Sequence, residues 1–451
     1  MTRDRSGRAL RCVLLAAGLA IGIAAAGEAR ADSLADALAA AYSSNSELQA
    51  ARAQLRATDE GVPAARGGWR PTAIINANGG VGMRDDHNDN HDHNDGLLGR
   101  AELRVRQPLY TGGRVSAQTK EAENLVQAQR AQLTASEEQV LLEAVIAYMD
   151  VLRDESVVKL DRDHEKNLES QLASVRRRVT AGELTDTDAA QSQSRLANAT
   201  AERVQAESNL NSSRATYVRV VGAPPTTVAM PDMPADLPGT VDEAVADSAS
   251  HPSIVAAQYS ESAARDDVKA VAGEAMPTVS LDGIASTHHD TLAVLGEVTI
   301  PLYQGGVVAA RERQSKEQAG ERRIDIETEQ RKAANDAAGA WYDLVAARAR
   351  IESFQTQVAT AKKAEDGIRR EEEQGQRTIQ DVLDAVDETL NAQVNLTNAR
   401  HDAVVAAYRL LAAIGHLTAR DLRLPVQFYD PTLHYQAVRE KFWGMDTVGG
   451  P

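Results

Sequence analysis

The chain has 451 residues, 43% of them hydrophobic and 25% charged, with a formal net charge of −16. That charged fraction excludes a polytopic helical membrane protein, the acidic balance argues against nucleic acid, and a single cysteine excludes a disulfide framework. Aromatics are only 4%, which favours long Ala-rich helices over a core built on large rings.

The first element is an export signal. Arg3, Arg5, Arg8 and Arg11 precede an apolar stretch from Cys12 to Ala26, and Ala29-Arg30-Ala31 supplies a small-x-small cleavage pattern. Residues 1–31 are therefore expected to be a signal peptide, with Asp32 opening the mature chain. Cys12 leaves with it. No later segment has the roughly 18 uncharged apolar residues of a membrane-spanning helix, so any membrane insertion must be as a β-barrel.

The remainder reads as a tandem repeat. Gln107-Pro108-Leu109-Tyr110-Thr111-Gly112-Gly113 recurs as Ile300-Pro301-Leu302-Tyr303-Gln304-Gly305-Gly306, an offset of 193 (300 − 107). The same offset carries Gly182 to Gly375, Asp188 to Asp381 and Gly222 to Gly415. Domain boundaries follow: a first repeat over 32–222, a linker over 223–240, a second repeat over 241–415 and a C-terminal tail over 416–451.

Within the first repeat a helical segment is expected at about 34–67, then strands at about 72–83 and 97–109. Ala73, Ile75 and Ala77 hold the odd positions while the even ones include Asn76 and Asn78, and Leu103 and Val105 alternate with Glu102, Arg104 and Arg106. Pro108 should stop the ladder, and the glycine pair Gly112-Gly113 should reverse the chain into a long helix at about 114–181. A shorter helix follows at about 184–221. The second repeat gives helix 241–273, strands at about 277–286 and 292–302, the corner Pro301, Gly305 and Gly306, a long helix at about 307–374 and a short one at about 379–414. Each long helix measures about 100 Å, and the two short ones together match it, so they should stack end to end beside it. The spacing of Ile351, Phe354, Val358 and Ala361 is heptad-like.

Four amphipathic strands cannot close a barrel, for which roughly eight are needed. If they span a membrane, the chain must oligomerise.

These features resemble the TolC family of outer-membrane channel proteins. The resemblance rests on the duplicated hairpin-plus-helix unit, both Pro-Leu-Tyr-x-Gly-Gly corners, and Gly375-Gln376-Arg377-Thr378-Ile379-Gln380-Asp381-Val382-Leu383-Asp384-Ala385. The ending from Leu424-Pro425 to Trp443-Gly444 is similar to the tail of type I secretion members. The fold class implied is a mixed α/β membrane protein: a trimeric 12-stranded transmembrane β-barrel continued by a coiled-coil α-helical barrel. The function implied is an outer-membrane exit channel for efflux or type I secretion, with a large periplasmic extension. Its partners would be a periplasmic adaptor, an inner-membrane pump and outer-membrane lipid. The alternative is a soluble periplasmic coiled-coil adaptor or tethering protein, although adaptors do not duplicate the whole unit.

The resemblance also assigns sites. Asp381 and Asp384, three residues apart at a helix start, would form acidic rings at the periplasmic constriction. Arg377, with Thr187 and Asp188, would form the lock that holds it shut. Glu372 departs from the expected pattern and would repel Asp188. Crowded carboxylates there should have raised pKa values. No motif for enzyme chemistry or for a cofactor is present. His87, His91 and His93 at one hairpin tip and His288 and His289 at the other are the only metal candidates, and their spacing defines no closed site.

Overall fold

The computed structural model describes residues 33–84, 94–287 and 291–446. The expected signal peptide and the five hairpin-tip histidines lie outside the described residues.

Three helices open the chain: α1 (Leu34–Ser44), α2 (Ser46–Asp59) and α3 (Gly61–Arg66). The single segment expected over 34–67 is thus divided. Asn45 divides α1 from α2 by adopting an extended backbone, accepting the N–H groups of Glu47 and Leu48, and donating Nδ2 to the Val220 carbonyl at 3.0 Å. The second break falls just before Pro63, whose ring nitrogen has no proton to give to residue 59.

Strands β1 (Thr72–Arg84) and β2 (Asn94–Tyr110) follow, then the long helix α4 (Arg114–Thr180) and its return α5 (Asp186–Val221). The linker passes the midpoint of α4, where the Tyr148 hydroxyl donates to the Ala229 carbonyl at 2.8 Å. Helices α6 (Val241–Asp247) and α7 (Pro252–Ala272) occupy the stretch expected as one helix over 241–273. A 3-10 turn at Ser248–Ser250 and the ring of Pro252 impose that break. Strands β3 (Thr278–Ser286) and β4 (Thr291–Thr299), the long helix α8 (Val307–Glu373), its return α9 (Ile379–Ala413) and a short α10 (Leu433–Val438) in the tail complete the chain. Helices α4 and α8 each have 67 residues.

The strands form one antiparallel sheet in the order β1-β2-β3-β4, so β2 and β3 join the two repeats edge to edge. Pro108 does not stop the ladder: β2 runs on to Tyr110 and absorbs the proline as an irregularity between Pro108 and Tyr110. In the second repeat β4 does end before Pro301. Both corners then turn on glycines in the left-handed region, Gly112 (φ 66°) and Gly113 (φ 80°), Gly305 (φ 62°) and Gly306 (φ 79°).

Helix α4 is the spine. It packs on α5 towards one end and on α2 and α7 towards the other, while α8 packs on α9 and α7. The core lies at its middle, where Leu141, Val145, Tyr148 and Met149 meet Leu48, Tyr217, Leu344, Leu410 and Leu417. Large side chains are needed there because the linker and tail wrap the bundle, whereas elsewhere alanines such as Ala263, Ala270 and Ala333 let helices close up.

Glu138 is buried beside this core with Oε1 lacking a hydrogen-bond partner and the His251 ring 3.8 Å away. Burial, and then the neighbouring Glu137 carboxylate, push its pKa up to about 8. A folded-state pKa above the ordinary 4.5 means that the native state holds the proton more tightly. Stability therefore falls as pH rises from about 4.5 towards 8 and levels off beyond. Glu138→Gln is expected to gain on the order of 3 kcal/mol over wild type at pH 9 and almost nothing at pH 4, read from thermal unfolding in detergent. A difference that does not change with pH would remove the assignment.

Candidate functional site

Two regions carry functional geometry: the free ends of the long helices and the two faces of the sheet. At each helical end the same device is built twice. Helix α4 ends with Gly182 (φ 77°), α8 with Gly375 (φ 74°), each a left-handed residue whose N–H returns to the last turn. The return helix then starts with a capping box. Thr185 Oγ1 accepts the Asp188 N–H at 3.3 Å, while Asp188 Oδ2 accepts the Thr185 N–H at 2.9 Å and hydroxyl at 2.8 Å. Thr378 and Asp381 repeat it at 3.3, 2.9 and 2.8 Å. The sequence chooses these residues because Thr and Asp three apart satisfy both ends of the box.

Asp381 thus spends its carboxylate on its own helix start. The Thr378 backbone N–H and hydroxyl hold it below the usual carboxylate range, and the same pair type does so for Asp188. For Asp381 the shift within one chain is thus downward, against the expectation of a rise among crowded carboxylates. Asp384 is held by Arg195 across the coil at 2.6 Å, and the same guanidinium reaches Asp387 at 2.6 Å. Burial pushes Asp387 up, against the opposing pull of Arg195 and of His164, 3.4 Å away.

Arg377 does not meet Thr187 or Asp188 within the chain; its Nε donates to Glu371 at 3.0 Å. Glu372 is not a repulsive neighbour of Asp188. Arg178 stands between them, donating to Glu372 at 2.7 Å and lowering the Asp188 pKa through its charge. Arg178 and Arg195, the two guanidiniums that tie the first coil to the second, were missed in the sequence. A signal for both existed: the repeat offset of 193 places Glu371 at the equivalent of Arg178 and Glu388 at the equivalent of Arg195. Swapped charges at equivalent positions are what two like coils need to attract each other side by side.

The sheet is two-faced. Opposed in register, Ala73, Val105, Gly283 and Val294 cross it in one row, and Ile75, Leu103, Ala285 and Leu292 in the next. Ile75, Leu292 and Val294 are among the most exposed apolar side chains of the protein. The other face carries Glu102 and Arg104 paired at 2.9 Å, and Arg106 between Asp282 at 3.9 Å and Glu297 at 3.5 Å. One face apolar and exposed, the other carrying these charges beside Ile74, Ile284 and Leu295, is unlike a soluble sheet packed on a core and is compatible with lipid on one side and water on the other.

A family model described as "Outer membrane efflux protein" matches residues 37–223 and 247–416. The chain belongs to that family. It is 36% identical over 423 residues to the outer membrane efflux protein BepC of Brucella suis, covering 91% of each chain. It is 25% identical over 402 residues to the outer membrane protein TolC of Vibrio cholerae, covering 85% of this chain and 90% of that one. Among solved structures, the outer membrane channel CmeC of Campylobacter jejuni superposes with a TM-score of 0.77 at 13% identity, over 90% of this chain and 89% of that one.

As an outer membrane efflux protein, the chain is a TolC-like channel of the outer membrane whose long helices form a large periplasmic part. The family membership sets aside the soluble adaptor. The apolar rows of β1 to β4 have the composition of a surface suited to a bilayer.

Proposed function

We propose that three copies of this chain assemble, that their sheets close a 12-stranded barrel and their helices a tunnel, and that this tunnel carries substrate from an inner-membrane pump, through a periplasmic adaptor docked at the helical tips, out of the cell. The observation that carries the assembly is the sheet itself. Its outer strands β1 and β4 pair on one side only among the described residues, and open edges are not tolerated in hydrocarbon. A second copy offers β4 an edge strand β1, and three such joins close a ring. The helices agree: α4 buries twenty-one residues but α8 only seven of its equal length, leaving Ile324, Tyr342 and Val345 exposed for a neighbour. Light scattering of the detergent-solubilised protein is expected to return three times the chain mass, and a monomeric, detergent-independent protein would overturn the assembly.

At the far end the tips would converge and present Asp381 and Asp384 from each chain as rings of carboxylates that favour cations. Arg178 with Glu372, Arg195 with Asp384, and Arg377 with its reach extended to Thr187 and Asp188 of a neighbouring coil would hold the rings narrow. Arg178→Ser is expected to leave stability within about 1 kcal/mol of wild type, because the pair is partly exposed, yet to raise single-channel conductance in planar bilayers. Wild-type conductance from both Arg178→Ser and Arg377→Ser would remove the lock.

A further inference from the structure

The tail beyond the second repeat runs as a strap towards the membrane end of the molecule. It starts beside α1 and α2, where Tyr42 Oη accepts the Tyr429 N–H at 2.9 Å. It continues past Asp59, which meets the His434 ring at 2.9 Å, and past Glu123, which pairs with Arg439 at 3.0 Å. It ends beside Arg70, whose guanidinium donates to the Lys441 carbonyl at 2.9 Å and lies 5.0 Å from the Phe442 ring. Arg70 stands two residues before β1, so the strap delivers its last described residues to the base of the strands.

Those residues are unusual. Trp443 is 89% exposed, Met445 fully so and Phe442 63%. Three large apolar side chains within four residues stay mostly exposed, Phe442 against Arg70 and all three around a shallow hollow shared with Glu60 and Pro63. The strap before them is fastened down by polar contacts and by buried Leu424 and Val438. The three apolar residues lie beside Arg70, which follows the part-exposed Trp69 in the chain and stands two residues before the apolar strand β1. Lys441 and Arg70 flank them with positive charge, and Glu60, Glu440 and Asp446 stand close by. Aromatic rings beside cationic side chains, at the level where strands begin, are the composition of a membrane–water interface.

We propose that Phe442, Trp443 and Met445 seat in the headgroup and upper acyl region of the periplasm-facing leaflet, and so fasten the C-terminal strap to phospholipid. The proposal rests on the reading of β1 to β4 as membrane-spanning. Its area is small, so it acts as a clamp on the strap, not as an anchor for the whole protein.

The chain has three tryptophans, Trp69, Trp341 and Trp443, which makes fluorescence a direct test. Trp69→Phe/Trp341→Phe leaves Trp443 as the sole reporter; adding Trp443→Phe and Val294→Trp moves the reporter to the apolar strand face. Both would be reconstituted as full-length protein in phosphatidylcholine vesicles, with and without bromine near the top of the acyl chains. Emission from Trp443 is expected to be quenched about twofold by the brominated lipid and little by acrylamide, as for a ring at the interface. Quenching at Val294→Trp but not at Trp443 overturns the strap proposal while the barrel stands. Acrylamide access would then place Trp443 in water, and protection from both quenchers would place it against a neighbouring subunit. Absence of lipid quenching at both positions overturns the barrel reading and the strap with it.

Discussion

Asp381→Asn/Asp384→Asn channels are expected to lose most of their preference for cations, with the cation-to-anion permeability ratio at 0.1 M salt falling about tenfold. The substitution is close to isosteric, and an asparagine oxygen can still accept the Thr378 N–H that Asp381 accepts at 2.9 Å, so the helix start survives. What changes is charge. Arg195, released from Asp384, keeps Asp387 at 2.6 Å, so the coils remain tied. The electrostatic origin has its own signature: at about 1 M salt the Debye length shrinks to about 3 Å, and wild type and variant should converge. Because Thr378 holds Asp381 below the ordinary carboxylate range, the selectivity it supplies should persist to lower pH than a free aspartate would allow. A variant that keeps the wild-type ratio at low salt would move selectivity elsewhere, with the charged face of the sheet around Arg106 and Glu297 the next place to look.

Gly112→Val is expected to cost at least about 3 kcal/mol, through a left-handed backbone that a β-branched residue resists and through overpacking. A Cβ at this position would lie 2.6 Å from the Gly273 carbonyl oxygen and 2.6 Å from Met276 Cβ, so the corner of the first repeat cannot open without displacing the turn that leads into β3. Its counterpart provides the control. Gly305 has a similar φ of 62° but no heavy atom within 4 Å of where a Cβ would sit, so Gly305→Val should suffer the backbone cost alone, about 1–2 kcal/mol. Thermal unfolding of the two variants in parallel reads the difference. Equal losses would mean that the Gly112 contact is not felt.

The reasons why some features were legible and others not are physical. The duplicated corner, the two-residue alternation of the strands and the unbroken composition of the long helices are local patterns, and local patterns are written in sequence. The break at Asn45 is not, because the side chain that makes it answers to a carbonyl at residue 220. Pro108 read as a stop because an internal proline usually is one; β2 tolerates it only because the irregularity at Tyr110 lets the pairing with β3 resume. At the tips, Thr378 and Asp381 advertise their capping box at fixed spacing, whereas Arg178 and Arg195 contact residues nearly two hundred positions away and belong to no motif. Comparing the halves residue by residue, for opposite charge as well as for identity, would have exposed them. Glu138 was invisible for a further reason: burial, which raises its pKa, is a property of the packed midpoint and not of the residues around it in the chain.

The β2–β3 seam has a kinetic consequence. Glu102 pairs with Ser286, so the sheet joins strands separated by α4, α5, the linker and α7. Each hairpin can form by itself, as can each pair of long and short helices, since their contacts are close in sequence. The seam can be sewn only after the chain has travelled down α4, back up α5 and on through α7, and closing so long a loop is slow unless those helices have already zipped together. The order of events is thereby set: the bundle forms first, in water, and its docking of α7 on α4 brings the two hairpins to adjacent positions. Until then four strand edges and an apolar face stay unpaired, and they are the part of the folding chain most in need of a chaperone's cover.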